Sequence, residues 1–347
     1  MNAEAFMTEL DERVRVLAND LATRELTETE RGNFFSWVKA YDQMIFLFAH
    51  LLNETQNGPV SKQYNKLVSM CDESDTLITL NWDTLLDRAL YEDGRWMPDS
   101  GYGVNFRAVL DKEWRLPSPK PSKLLLLKLH GSTNWLVNYV TRHLSTGERI
   151  MVVGAPAKGR LVIELEMNFS PESGKLKIRP ETRTRRWGSR PIPEAEEPWI
   201  TPCCFLSGPM PFITYKDRYR PGYEDFSYFF PPNDPDAGIP LMPLLVPPTK
   251  FKLYDEFKHI LDSLWEEAAK RITTSKQVVI IGYSFPPTDN RIAEILRPLA
   301  SFDTDAPIVQ VVNPTPDNIC SKLTSEMGIK PQHVKVVAHT FDEYLQV

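Results

Sequence analysis

Apolar residues recur along the chain in two rhythms. In residues 3 to 21, Phe6, Leu10, Val14, Leu17 and Leu21 are spaced by three and four, which predicts an amphipathic helix. Thr27-Glu28-Thr29-Glu30 then offers a helix start with the spacing of a capping box. Beyond it run Phe34, Phe35, Trp37, Val38, Tyr41, Ile45, Phe46, Phe48, Leu51 and Leu52, a long buried helix or a pair of them. The turn signal Asn57-Gly58-Pro59 ends it, and a third helix is expected over residues 61 to 70.

From residue 75 the rhythm changes. Short apolar runs, too short for helices, alternate with helical spacing. The strand candidates are residues 75–83, 123–130, 276–284 and 307–314, with a last one at 334–338. Helices are expected at 84–91, 257–272, from Thr288 or Asp289 to about 299, and at 317–327. This alternation implies a parallel sheet with helices on both faces. Between about 149 and 240 the pattern breaks. Two strands around Lys158-Gly159 are followed by charged, proline-rich sequence, read as a small β-rich insertion or lid. The domain expectation is therefore a helical layer over 1–74, an α/β core over 75–148 and 241–347, and the insertion over 149–240. No internal repeat occurs.

Composition narrows the function classes. The 347 residues are 42% hydrophobic and 25% charged, ordinary for a soluble globular protein of one or two domains. A net charge of −6 argues against direct nucleic-acid binding. No apolar run approaches membrane-spanning length, so no membrane association is expected. The N-terminal residues lack the regions of a secretory signal. Cys71, Cys203, Cys204 and Cys320 form no CxxC pair, so neither a metal module nor a disulfide framework is indicated, and a cytoplasmic location is expected. No GxxxxGK[ST] loop occurs, which disfavours a GTPase or kinase.

The candidate chemistry lies where the strand-like runs end: on Asn81, on His130-Gly131-Ser132, on Gly282-Tyr283-Ser284 and on Asn313. Parallel strands bring these ends to one edge, where open α/β sheets bind ligands. His130 can exchange protons near neutral pH. Asn81 can orient a water or a sugar hydroxyl. Gly282 admits a close ligand, Ser284 can donate to phosphate or ribose oxygens, and Asn313 suits ribose hydroxyls. Such groups fit a nucleotide whose sugar is being cut. Each has a plainer reading. A lone histidine is commonly a core residue with a satisfied hydrogen bond. Asp83 sits where helices take an aspartate N-cap. Arg183, Arg185 and Arg186 read as a solvated face.

Taken in order, five segments resemble the SIR2-like, sirtuin-related NAD-consuming domains of bacterial anti-phage defence systems. They are Thr79-Leu80-Asn81-Trp82-Asp83, Lys128-Leu129-His130-Gly131-Ser132, Pro247-Pro248-Thr249-Lys250, Ile281-Gly282-Tyr283-Ser284 with Asp289, and Val312-Asn313-Pro314. The resemblance covers about residues 75 to 315. It implies a Rossmann-like core, with Asn81 and His130 as the catalytic pair. It also implies an NAD site around Asp83, Gly131, Ser132, Gly282, Tyr283, Ser284, Asp289 and Asn313; at Asp289, helix capping is the competing role.

The function so implied is cleavage of the nicotinamide–ribose bond of NAD, by hydrolysis or cyclisation, in an antiviral defence effector. NAD is its substrate, no metal is needed, and a homo-oligomer or a defence-system partner controls it. The alternative is a non-catalytic NAD- or ADP-ribose-binding or structural subunit. Two departures bear on this. The zinc-binding cysteine pairs of protein-deacylating sirtuins are absent, which disfavours a deacylase. The family's opening strand and Gly-Ala-Gly-x-Ser loop have no counterpart before Asn81, where only Gly32 and Gly58 occur. The expectation is an upstream start, an incomplete pocket or completion by another subunit. Trp82 stands where the family usually has Tyr.

Overall fold

The computed structural model of the chain describes residues 3–24, 27–56, 58–106, 108–110, 114–138, 149–157, 160–170, 175–178, 203–206, 241–247, 249, 258–286, 289–303 and 306–346. The basic cluster at 183–186, Pro248, Lys250 and Thr288 lie outside these residues, as does most of the proline-rich stretch.

Helix α1 (Ala3–Thr23) packs along α2 (Glu28–Thr55), burying Met7, Leu10, Ile45 and Ala49. The second helix is continuous, and its start is chemically specified. Thr27 Oγ1 accepts from the Glu30 N–H at 3.3 Å, while the Glu30 carboxylate accepts from the Thr27 N–H at 2.8 Å. Helix α3 (Lys62–Met70) precedes strand β1 (Thr76–Thr79) and helix α4 (Leu85–Asp93). The C-terminal end of α2 is tied to α4. Gln56 accepts from the Thr84 N–H at 2.7 Å, and Arg88 donates to the carbonyls of Gln56 and Gly58. The Phe48 ring lies 5.8 Å from that of Trp82, so the helical layer reaches the β1–α4 junction.

A short helix α5 (Pro98–Gly101) leads to β2 (Ala108–Leu110), β3 (Trp114–Arg115) and β4 (Leu125–Lys128). There follow β5 (Gly131–Asn138), β6 (Arg149–Ala157), β7 (Arg160–Ser170), β8 (Lys175–Ile178), β9 (Cys203–Phe205) and β10 (Leu241–Leu245). The C-terminal part is α6 (Lys258–Thr274), β11 (Gln277–Ile281), α7 (Asn290–Leu296), β12 (Ile308–Val312), α8 (Asp317–Ser321), β13 (Val334–Val337) and α9 (Phe341–Tyr344). Helix α7 continues as a 3₁₀ turn, and α8 as a π turn over Lys322–Glu326.

The fold is mixed α/β, and its parallel strands fall into two small groups. Strand β1 pairs with β4, Thr76 opposite Leu125 through Thr79 opposite Lys128. Strands β11, β12 and β13 form the other group, in that order. Among the described residues β1 pairs only with β4 and β11 only with β12, so no ladder joins the groups into the single sheet that the alternation implies. The exposure pattern agrees with an open edge: β1 is half-buried throughout, and Val279 of β11 is 39% exposed despite its apolar run. The remaining strands make one eight-stranded sheet, largely antiparallel, in the order β3-β2-β9-β5-β10-β6-β7-β8. Strands of the expected insertion thus share a sheet with β5 and β10, which flank it in sequence.

The chain after β4 does something the apolar run conceals. Within two residues it leaves the parallel pair and starts β5 in the larger sheet. Gly131 makes this corner with φ +78°, and a Cβ there would overlap the backbone oxygen of Leu244 on β10. Behind the corner lies an aromatic core. Tyr102 meets Trp96, Phe106 and Trp135 edge-on, with ring centroids 4.7, 5.7 and 5.1 Å away. Leu126, Leu127, Leu129 and Leu264 are buried in the same cluster.

Candidate functional site

Register decides where the site can form. Thr79 and Lys128 are the last paired residues of β1 and β4, and the Leu129 N–H extends the ladder to the Thr79 carbonyl at 3.0 Å. Asn81 and His130 each follow two residues later, so they leave adjacent strands level with each other. Neighbouring strands lie about 4.8 Å apart, which puts both backbones at one place on the carboxyl edge. Asn81 is exposed, and its N–H donates to Thr79 Oγ1 at 3.1 Å. His130 is 5% exposed. Its carbonyl accepts from the Val246 N–H at 2.9 Å, which pins it to the strand leaving β10. Beyond that strand Thr249 is buried.

What meets the imidazole comes from the segment after β11. Nε2 of His130 lies 3.9 Å from Oδ1 of Asp289, and both side chains are buried. Tyr283 donates its hydroxyl to the other carboxylate oxygen at 3.0 Å. Asp289 therefore links the end of β4 to the turn after β11. The imidazole also faces Trp265 of α6, with ring centroids 6.1 Å apart. The Trp265 indole N–H is buried and makes no hydrogen bond among the described residues. Arg291 stacks over the outer part of this assembly, 4.9 Å from the Trp265 ring, and pairs with Asp262 at 2.6 Å. The bonds from Lys258 and Arg291 hold the Asp262 carboxyl below its usual range.

The turn itself is unusual. Gly282 has φ +65°, and among the described residues a Cβ there would meet nothing within 4 Å. Phe285 adopts φ +54°, a left-handed backbone that costs a non-glycine residue roughly 1–2 kcal/mol. Lys322 donates to the carbonyls of Phe285 at 2.6 Å and Ser284 at 3.3 Å and holds this shape. Backbone held in this region is found preferentially at functional sites.

Other predicted site residues are engaged within the fold. Ser132 is fully buried, giving its hydroxyl to Asn134 Oδ1 at 2.6 Å and lying 3.4 Å from the Trp82 carbonyl. Asp83 accepts from the Leu85 N–H at 3.0 Å, a turn at the start of α4. Asn313 follows β12, where its Oδ1 accepts from the N–H and hydroxyl of Thr315 at 2.9 and 3.2 Å. Gly131 serves the corner against β10. Ser284 is exposed.

Sequence reasoning passed over the network beneath. Lys128 is fully buried and donates to both oxygens of Asp87, at 3.1 and 3.3 Å, and to the carbonyl of Asp83. Tyr102 donates to Asp87 and accepts from Asn134 at 3.0 Å. Burial, reinforced by Asp87, pushes the Tyr102 phenol well above its usual range, so it stays a donor. A lysine between Leu127 and Leu129 was the available signal, because a buried lysine needs a paired acid.

The arrangement can move a proton. It offers a buried imidazole beside a carboxylate, an exposed asparagine at the end of the adjacent strand and a glycine turn after β11. Among the described residues no group of three His, Cys, Asp or Glu side chains is placed to hold a metal ion, and no helix is long and apolar enough to cross a membrane. No protein-family model matches the chain, and no curated protein matches it in sequence.

Proposed function

We propose that the chain is an NAD glycohydrolase whose parallel strands belong to a Rossmann-like core. The observation that carries this reading is the register of β1 against β4, which sets Asn81 level with His130. The motif order stated above supplies the substrate class. In this reaction the glycosidic bond between ribose C1′ and the nicotinamide nitrogen breaks, and nicotinamide leaves neutral. The transition state is oxocarbenium-like, as in other glycoside cleavage. Water adds to C1′ and its proton passes to His130, while the Asn81 amide orients the water. Cyclisation would replace water by an internal nucleophile at the same carbon. A defence role, and control by a partner or by self-assembly, follow from the resemblance.

A second reading is a nucleotide-binding subunit without turnover. It is favoured by Ser132 and Asn313, whose side chains are committed to internal hydrogen bonds. The test is nicotinamide release from NAD by the wild type, His130→Ala and Asn81→Ala. The leading reading expects a loss of roughly 10²–10⁴-fold for the histidine variant, the usual contribution of a positioned acid–base group. Thermal stabilisation by NAD without product, in wild type and variants alike, would select the second.

A further inference from the structure

We propose that Asp289 is a positioning residue for His130, holding the imidazole and balancing its charge when it takes a proton. This rests on the reading of His130 as the base.

Asp289 occupies the N-cap position of α7, where an aspartate ordinarily accepts a backbone N–H of the first turn. Its side chain makes no such bond. The carboxylate instead turns inward, with Oδ1 toward His130 Nε2 and Oδ2 toward the Tyr283 hydroxyl. Burying an ionised carboxylate is costly unless it is compensated. Forgoing the cap adds to that cost, and the Tyr283 hydroxyl and the imidazole both help to offset it. The 3.9 Å separation exceeds a neutral hydrogen bond but lies within the range at which opposite charges stabilise each other. Asp289 then favours the tautomer with its proton on Nε2 and the imidazolium that forms when His130 accepts a second one. Tyr283 fixes the orientation of the carboxylate.

Charged groups of the flanking segments have partners of their own. Arg291 lies across the Trp265 ring and is paired with Asp262. Lys128, two residues before His130, is bound to Asp87. Asp83 serves the start of α4, and Tyr283 stands behind Asp289. Among the described residues, the carboxylate at ion-pair distance from the ring is that of Asp289.

Two readouts on the purified chain test this. In the first, the His130 ring proton is followed by NMR through a pH titration, the resonance being the one absent from His130→Gln. Asp289→Asn should lower the His130 midpoint by about one pH unit, as expected for loss of an opposite charge at this range. In the second, nicotinamide release from NAD is measured. Asp289→Asn should lower kcat by roughly 10–100-fold, by analogy with the loss of the partner that orients a metal-bound histidine. KM should change little, and Asp289→Glu should recover most of the rate. An unchanged midpoint in Asp289→Asn overturns the proposal. So does a raised KM with kcat intact, which would place Asp289 on the substrate. A wild type that shows the midpoint difference but releases no nicotinamide keeps the pairing and removes the glycohydrolase reading instead.

Discussion

Replacing Lys128 with methionine removes a charge that the fold has enclosed. The Lys128 side chain is 0% exposed and that of its partner Asp87 is 1% exposed. The ammonium reaches both carboxylate oxygens and the Asp83 carbonyl. A methionine fills nearly the same volume, so the cost is electrostatic rather than a cavity. Asp87 would keep its bond from Tyr102 but lose its counter-charge. Removing one member of a buried pair costs about 3–5 kcal/mol, because the survivor stays desolvated. An exposed pair costs about 0.2–1 kcal/mol. Chemical denaturation followed by tryptophan fluorescence measures the difference, since Trp96 and Trp135 both contact Tyr102 in the adjoining core. The double variant Lys128→Met/Asp87→Leu should recover much of the loss, because no charge is then stranded. A single-variant cost below about 1 kcal/mol, in the range of an exposed pair, would refute the claim that this network is a dry, coupled unit. Additive single and double costs would refute it equally.

The two glycines of the site should behave differently. At Gly131 an alanine meets both a left-handed backbone, about 1–2 kcal/mol, and overlap with Leu244, typically 1–3 kcal/mol more, so a large fall in the denaturation midpoint is expected. At Gly282 only the backbone cost applies, because among the described residues nothing lies within 4 Å of an added Cβ, and Gly282→Ala should remain folded with a fall of about 1–2 kcal/mol. The α2 capping box should respond to acid. A hydrogen bond from Arg24, with those from Thr27, holds the Glu30 carboxyl at about 2, below its ordinary 4.5. Because the folded value is the lower one, this contribution is complete above pH 4.5 and is lost as the pH falls toward 2. Circular dichroism of Glu30→Gln should show the matching absence of that acid-limb loss; equal acid sensitivity in both proteins would count against it.

Much of the local structure was legible along the chain, for reasons that act over a few residues. The three-and-four spacing from Phe6 to Leu21 belongs to α1, and Thr27 with Glu30 marks the start of α2. The runs at 276–284 and 307–314 contain β11 and β12, because β-branched residues in short apolar stretches suit pleated, packed backbone. The spacing expects Asp83 at the N-cap of α4; Thr84 takes that position instead, and the Asp83 carboxylate, one residue earlier, accepts the Leu85 N–H in a short turn. At the candidate site, His130 and Asn81 could be picked out as polar residues closing apolar strands, and no more than that.

What they face depended on contacts far apart in sequence. Whether Asn81 stands level with His130 is set by the register of β1 on β4, a pairing across about fifty positions that no local rule contains. The corner at Gly131 exists because β10, more than a hundred residues later, packs against it. The partner of Lys128 is Asp87, forty-one positions earlier, and local sequence does not name it. Asp289 looked like a cap until its carboxylate turned toward an imidazole from another strand. Propensity and capping are settled within a turn or two of chain. Register, strand grouping and the partners of buried charges are settled by desolvation and packing among segments that meet only when the whole chain has closed.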